Sequence, residues 1–464
     1  MKSTSMKRKS TFGLLAAFLM NILCVNAQDI TGQWDGVLSV QGMSMKLVFH
    51  ISKSDDGYTS TMDSPDQAAY GIRATKTTFE SSKLSIEIAN IGMLYEGDFK
   101  TDSISGIFKQ GGMAFPLTLK RGTEKMKTTL RPQEPKPPYP YRSEDVSFEN
   151  KSAGITLAGT LTMPQSGSNF MAVILISGSG PQNRDEEIMG HKPFLVIADY
   201  LTRNGIAVLR YDDRGTAKSS GDFKSATSAD FATDAESAIN YLKTKKEINP
   251  KKIGLIGHSE GGTIAPMIAA RSNDVAFIVL LAGTGLRGDA ISLLQAEIIN
   301  RAMGMPEDSL AIILKEQKEF TDVITNSKEM ISEQEILKLL AKDVDPVSEA
   351  EVYERLKPIA SQIATPWSQY FFRYDPAPAL EKVKCPVLAV NGNLDVQVPS
   401  KENLAAISAA LKKGGNKNVT IKEYEGLNHL FQECTTGMLN EYAIIEQTFS
   451  PIVLKDLTDW LLKR

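Results

Sequence analysis

Cysteine is nearly missing from this chain: Cys24, Cys385 and Cys434 are the 3 in 464 residues. Two in the body of the chain cannot make a disulfide scaffold, so both are expected as free structural thiols. Histidine is almost as scarce, with 4 residues: His50, His191, His258 and His429. No clustered metal ligands accompany them, and neither a metal nor an organic cofactor is expected. An excess of positive charge is also lacking, the formal net charge being −3. That excludes the electrostatic footprint of a nucleic-acid or anionic-membrane binder. A disorder signature is absent too, because 42% of residues are hydrophobic and 23% charged.

The N-terminus carries Lys2, Lys7, Arg8 and Lys9, an apolar run from Phe12 to Leu23, and Val25-Asn26-Ala27. The run is short for a membrane span. The pattern reads as a secretory signal over residues 1–27, cleaved after Ala27, and predicts export to the periplasm or beyond. Losing it removes four basic residues and no acidic one, taking the charge from −3 to −7 and leaving no membrane span in the mature chain. Cys24 raises the option of a lipid anchor, but Leu23 is bulky where a lipobox needs a small residue.

Residues 28–122 alternate in short runs (33–40, 44–52, 58–63, 83–89, 93–99, 103–109 and 114–120) separated by turns such as Asp55-Asp56-Gly57 and Gln110-Gly111-Gly112. Even spacing of short strands predicts an antiparallel sheet curled into a small barrel or sandwich. Its role is read as structural or docking, with contact to a glycan or lipid the alternative. Residues 123–143 are rich in Pro and charge and read as a semi-rigid linker. From residue 144 to 464 a leading strand at 155–162 is followed by buried-type apolar runs at 171–176, 206–211, 253–256, 277–281, 387–390 and 419–424. Helical patterns, such as 193–203 and 230–243, separate the earlier ones. Such alternation predicts an α/β fold, a mostly parallel sheet with helices on both faces. Between about 287 and 383 it gives way to helical stretches alone (290–303, 309–324, 332–340 and 348–363), an insertion placed to cap the carboxyl ends of the strands.

Chemistry concentrates at Gly257-His258-Ser259-Glu260-Gly261, between an apolar run and a helical one. A serine there sits on a strand-to-helix turn, with the positive end of a helix dipole aimed at it. An alcohol needs a base to become a nucleophile, and the base needs an orienting acid. Elimination leaves His429 as the base. His50 lies in the β region, His258 precedes the serine and is expected to point away, and His191 falls on the wrong side of it in chain order. The acid is Asp395, after the run 387–390, with Glu402 and Asp375 as rivals. Backbone donors for an oxyanion are expected from Glu260 and from Ser179 in Ser177-Gly178-Ser179-Gly180-Pro181, Gly178 being the neighbouring register. Trp367, Tyr370 and Phe371 are candidates to line an apolar acyl or aryl pocket, or simply to pack the cap.

Residues 144–464 resemble the α/β-hydrolase superfamily, in particular its bacterial carboxylesterase branch. The resemblance rests on Ser177 to Glu186 (SGSGPQNRDE), on Arg210-Tyr211-Asp212-Asp213-Arg214-Gly215 and on the GHSEGG turn. It implies Ser259, Asp395 and His429 as a triad acting on a small-molecule ester. Many relatives have His-Gly where this chain has Ser177-Gly178. Asp213 and Arg214 are expected to brace loops by mutual hydrogen bonds, with Arg184, Asp185 and Glu186 either bracing or contacting substrate. The β region resembles a lipocalin-like module. An aminopeptidase-like enzyme is the alternative, needing acids such as Glu316, Glu319 or Asp375 to grip an α-amine. A glycan-binding protein with a degenerate hydrolase domain is a third reading.

Overall fold

A computed structural model describes residues 29–40, 43–54, 57–65, 69–110, 113–122, 130–342 and 349–464. The expected signal segment, Cys24 and the first part of the linker lie outside the described residues. Among the described residues, nine antiparallel strands come first: β1 (Gly32–Val40), β2 (Met43–Ser54), β3 (Gly57–Ser64), β4 (Ala69–Arg73), β5 (Lys76–Glu80), β6 (Lys83–Ile88), β7 (Met93–Lys100), β8 (Ser103–Gln110) and β9 (Met113–Arg121). Their order is β4-β3-β2-β1-β9-β8-β7-β6-β5. The sheet curls until its ends approach: Ala74 N–H donates to the Ser60 carbonyl, and Ser60 Oγ meets Thr77 Oγ1 at 2.8 Å. Alternation decides what faces inward. Trp34, Phe49, Tyr95, Ile86 and Leu119 fill the interior, and the Tyr95 hydroxyl finds carbonyl acceptors in Ile104 and Leu117. The interior is therefore a packed core. β4 and β5 escape the sequence pattern because each has only five residues and no clear alternation.

The second sheet holds β10 (Arg142–Asn150), β11 (Ile155–Met163), β12 (Phe170–Ile176), β13 (Ala207–Tyr211), β14 (Ile248–His258), β15 (Ile278–Leu281), β16 (Val387–Gly392) and β17 (Val419–Tyr424). Its order is β10-β11-β13-β12-β14-β15-β16-β17, antiparallel at β10 and β11 and parallel thereafter. Alternate residues of each strand feed opposite cores. Val173, Leu175 and Ile256 pack under α1 (Pro193–Arg203) and α12 (Pro451–Leu461), the helix that follows the short α11 (Leu439–Tyr442). Ala172, Ile174 and Leu255 pack under α2 (Ser228–Lys243), α3 (Glu260–Ala269) and α10 (Ser400–Lys413). This is the α/β-hydrolase fold, preceded by an all-β unit.

Between β15 and β16 run α4 (Gly288–Ala302), α5 (Glu307–Asn326), α6 (Glu333–Leu340), α7 (Glu349–Ile363), α8 (Pro366–Arg373) and the short α9 (Ala377–Leu380). A small core of Ile324, Ile331, Ile336 and Ala360 joins them. The buried Gln369 amide stitches the Ile331 backbone by 2.9 and 2.7 Å bonds. The segment read as a semi-rigid linker is held down over its described part. Arg131 donates to the carbonyls of Met189, Gly190, Ala443 and Ile445, and Gln133 bonds Thr448 and Phe449. Among the described residues no helix is long and apolar enough to cross a membrane.

Candidate active site

Ser259 sits between β14 and α3 with φ 53° and ψ −115°, a conformation costly for a residue with a Cβ. The turn survives because its neighbours are glycines. A Cβ on Gly257 would lie 1.9 Å from the Gly261 carbonyl oxygen, and one on Gly261 2.1 Å from that of Ile176. Sharp turning lifts the Ser259 side chain above the sheet, at the edge of a cavity of about 210 Å³. Ser179, Glu260, Trp367, Phe371, Tyr374 and Val398 are among the residues that line it.

Asp395 and His429 lie beyond the ends of β16 and β17, both buried. His429 Nδ1 donates to Asp395 Oδ2 at 2.7 Å. Asp395 Oδ1 accepts the Gln397 and Val398 amides, each at 2.8 Å, so the carboxylate is fixed by the backbone. With Nδ1–H committed to the acid, Nε2 keeps its lone pair. Among the described residues Ser259 Oγ and His429 Nε2 have no hydrogen-bond partner. Serine–histidine bonds are often long in unliganded enzymes and tighten with substrate. The rival acids are elsewhere: Glu402 is exposed on α10, and Asp375 is exposed and accepts the Ala377 amide.

Ser179 and Glu260 both line the cavity, and neither amide has an intramolecular acceptor among the described residues. The second is one of the four unpaired N–H groups that any helix leaves at its start. The neighbouring register fails: Gly178 N–H donates to Glu186 Oε1 at 2.6 Å and is not available to an oxyanion.

The Glu260 side chain has a role that local sequence hides. Its buried Oε1 accepts Ser228 Oγ at 2.5 Å and Trp367 Nε1 at 2.8 Å, linking α3 to the start of α2 and to α8. Burial raises its pKa, against those two donors. Trp367 and Phe371 stack at 5.5 Å and line the cavity. Tyr370 does not. It stacks on Tyr374 at 5.5 Å, and Tyr374 is the ring that reaches the cavity. Tyr370 lies within α8, whereas Tyr374 is the residue just past its end, where the backbone turns extended.

Loops beneath the serine are braced as expected, but by different partners. Asp213 accepts Ser177 Oγ at 2.7 Å and the Gln182 amide at 2.9 Å; burial pushes its pKa well above the carboxylate range. Arg214 instead grips Asp234 on α2 at 2.7 and 2.9 Å. Arg184 pairs with Asp212 at 2.8 Å, and Asp185 with Arg210. His258, expected to point away, turns toward the site: it meets Glu186 at 2.9 Å and the His429 carbonyl at 3.0 Å. Only the spacing of its loop partners in three dimensions, 72 and 171 residues away in sequence, could have revealed that. Cys385 and Cys434 are free thiols.

Comparison with known proteins adds the family. A family model described as X-Pro dipeptidyl-peptidase (S15 family) matches residues 138–423, a span that includes Ser259 and Asp395 and stops short of His429. Esterase EstD of Thermotoga maritima is 25% identical over 374 residues, covering 78% of this chain and 81% of that protein. Among solved structures, the Pyrococcus furiosus esterase PF2001 is 16% identical, with 73% of this chain and 99% of that one covered and a TM-score of 0.45. Est1E of Butyrivibrio proteoclasticus, solved with ferulic acid bound, is 18% identical, with 68% and 98% covered and a TM-score of 0.40.

Proposed function

Starting from the fact that this chain belongs to the X-Pro dipeptidyl-peptidase (S15) family of hydrolases, we propose that it is an exported serine hydrolase cleaving carboxylic esters through an acyl-enzyme. In this reading Ser259 Oγ attacks the acyl carbon while His429 Nε2 takes its proton. The tetrahedral oxyanion rests on the Ser179 and Glu260 amides, and Asp395 holds the imidazole in the productive tautomer. Collapse expels the alcohol, protonated by His429. Water, activated by the same imidazole, then frees the acid and restores Ser259.

One observation favours an ester over a peptide: the cavity at Ser259 offers few groups that could hold an α-amine. Glu316 and Glu319 line a separate cleft in the cap, and Asp375 lines another beside α10. The similarity to EstD supports the same choice. Glu260, the one carboxyl at the cavity wall among the described residues, together with the family match, supports a peptidase as second reading.

A panel of p-nitrophenyl acyl esters and Xaa-Pro or aminoacyl anilides separates them. Ester turnover, with anilides slower by orders of magnitude, is expected; the reverse ranking would install the peptidase reading. Ser259→Ala is expected to lose about 10⁵–10⁶ in kcat with its fold intact. Retention of half the activity would remove the serine from the mechanism.

A further inference from the structure

Outside the groups that would touch substrate, His258 and Glu186 form a buried pair beside the site. Both side chains are buried. Glu186 lies in the loop between β12 and α1 with φ 51°, an unfavourable backbone for a glutamate that long-range contacts must hold. Its Oε1 accepts two bonds, from His258 Nδ1 at 2.9 Å and from the Gly178 amide at 2.6 Å. Among the described residues its buried Oε2 has no hydrogen-bond partner, so the carboxylate relies on the two bonds that Oε1 accepts. On the far side of the same ring, Nε2 donates to the His429 carbonyl at 3.0 Å. The two imidazoles lie 4.8 Å apart, centroid to centroid.

One contact chain therefore runs from the amide before Ser179, through Glu186 and His258, to the backbone of His429. It joins the β12–α1 loop, the end of β14 and the loop after β17, and His258 is also the residue before the nucleophile. We propose that the His258–Glu186 pair is a positioning element of the reaction, setting the oxyanion loop and the His429 loop at fixed distances from Ser259. The inference rests on the hydrolase reading above and adds residues that never touch substrate.

Chemistry supports the burial of so much charge. Breaking a buried pair leaves a charge uncompensated, so the pair behaves as one rigid unit. Acceptors face both ring nitrogens. Burial alone would lower the proton affinity of the ring, but Glu186 and the His429 carbonyl outweigh it and raise it. The titratable groups facing the ring are Glu186, Asp395 and His429, while α1 and the approach to α12 present Phe194, Ile197 and Phe449.

The test uses the full-length enzyme and p-nitrophenyl butyrate, with His258→Phe, His258→Gln and Glu186→Gln. His258→Phe is expected to lose about 10²-fold in kcat, the scale of a small misplacement of reacting groups, with KM within about threefold. His258→Gln keeps a donor for the His429 carbonyl and should recover part of that loss. It also leaves Glu186 without its cation, so the acidic limb of kcat/KM should move up by about half a pH unit. Glu186→Gln removes the carboxylate that holds the second proton on His258, so the ring becomes neutral with it; the limb should stay in place while kcat falls. A brace that serves stability alone would lower the melting temperature of all three variants and leave kcat and the limb unchanged, overturning the proposal. Should His258→Phe fail to fold, the two near-isosteric variants decide it alone. A parent that neither turns over the ester nor labels at Ser259 with a fluorophosphonate would overturn the hydrolase reading itself.

Discussion

Two sheets in this protein handle buried polarity in opposite ways. The curled N-terminal sheet closes around Trp34, Phe49, Tyr95 and their apolar neighbours, the Tyr95 hydroxyl pairs with backbone carbonyls inside it, and off that core His50 meets Asp63 on the adjacent strand at 2.7 Å. The parallel sheet is as dry between its faces, but at and just beyond its carboxyl ends it buries Glu186, His191, Arg210, Asp212, His258, Glu260, Asp395 and His429. Taking such groups out of water costs several kcal/mol each before pairing. A fold that needed only stability would have little reason to gather them. Their concentration at one rim, around a strained serine, marks where the chain gives up stability for chemistry.

That contrast can be broken most forcefully at the rim. Asp395→Asn should keep the fold and lose about 10⁴-fold in kcat, because the amide no longer dictates the His429 tautomer; steady-state ester hydrolysis reads this directly. A loss under tenfold would show that Asp395 merely packs. In the curled sheet the effect should be the reverse. Trp34→Ala removes a fully buried indole that also donates to the Ile30 carbonyl at 2.8 Å. It should cost about 3–5 kcal/mol in that unit, read by urea unfolding, while kcat stays within about twofold.

His191 sharpens the comparison through pH. It is buried, with Nε2 on the Tyr442 carbonyl and Nδ1 beside Thr448 Oγ1, and burial lowers its pKa to about 4. The folded state therefore refuses a proton that the unfolded chain accepts below about pH 6.5. Stability should fall as pH drops from there towards 4 and level off below, since both states are then protonated. His191→Gln should flatten that part of the curve, measured by thermal melts across the range. A slope unchanged in the variant would assign it to other groups. The smallest effect is expected at Cys385 and Cys434, both pushed up to about 11 by burial. Native protein at pH 8 should alkylate slowly with iodoacetamide, and rapid labelling of either thiol would contradict its burial.

Features that depend on neighbours in the chain were readable before any coordinates. The glycines around Ser259 announce a tight strand-to-helix turn, and the apolar runs at 171–176 and 253–256 reappear within β12 and β14. Short β4 and β5 were invisible, because five residues without alternation carry no period. The sequence singles out Tyr370 for the pocket where the fold uses Tyr374, since both sit at the end of one aromatic stretch and nothing local separates them. The register of the oxyanion donors was open for a related reason: an N–H direction depends on how a peptide plane is rotated, and Glu186 fixes that of Gly178.

Sequence by itself determined most of the order of strands and helices, the two-part architecture and the residue types able to carry acyl transfer, because these follow from periodicity, turn chemistry and chain order. Tertiary structure alone decided what each buried polar group faces: Glu260 on Trp367, Asp213 on Ser177, His258 between Glu186 and His429. Hydrogen bonds are short-ranged and directional, so partners far apart in the chain meet only once the packed sheet has set the loops.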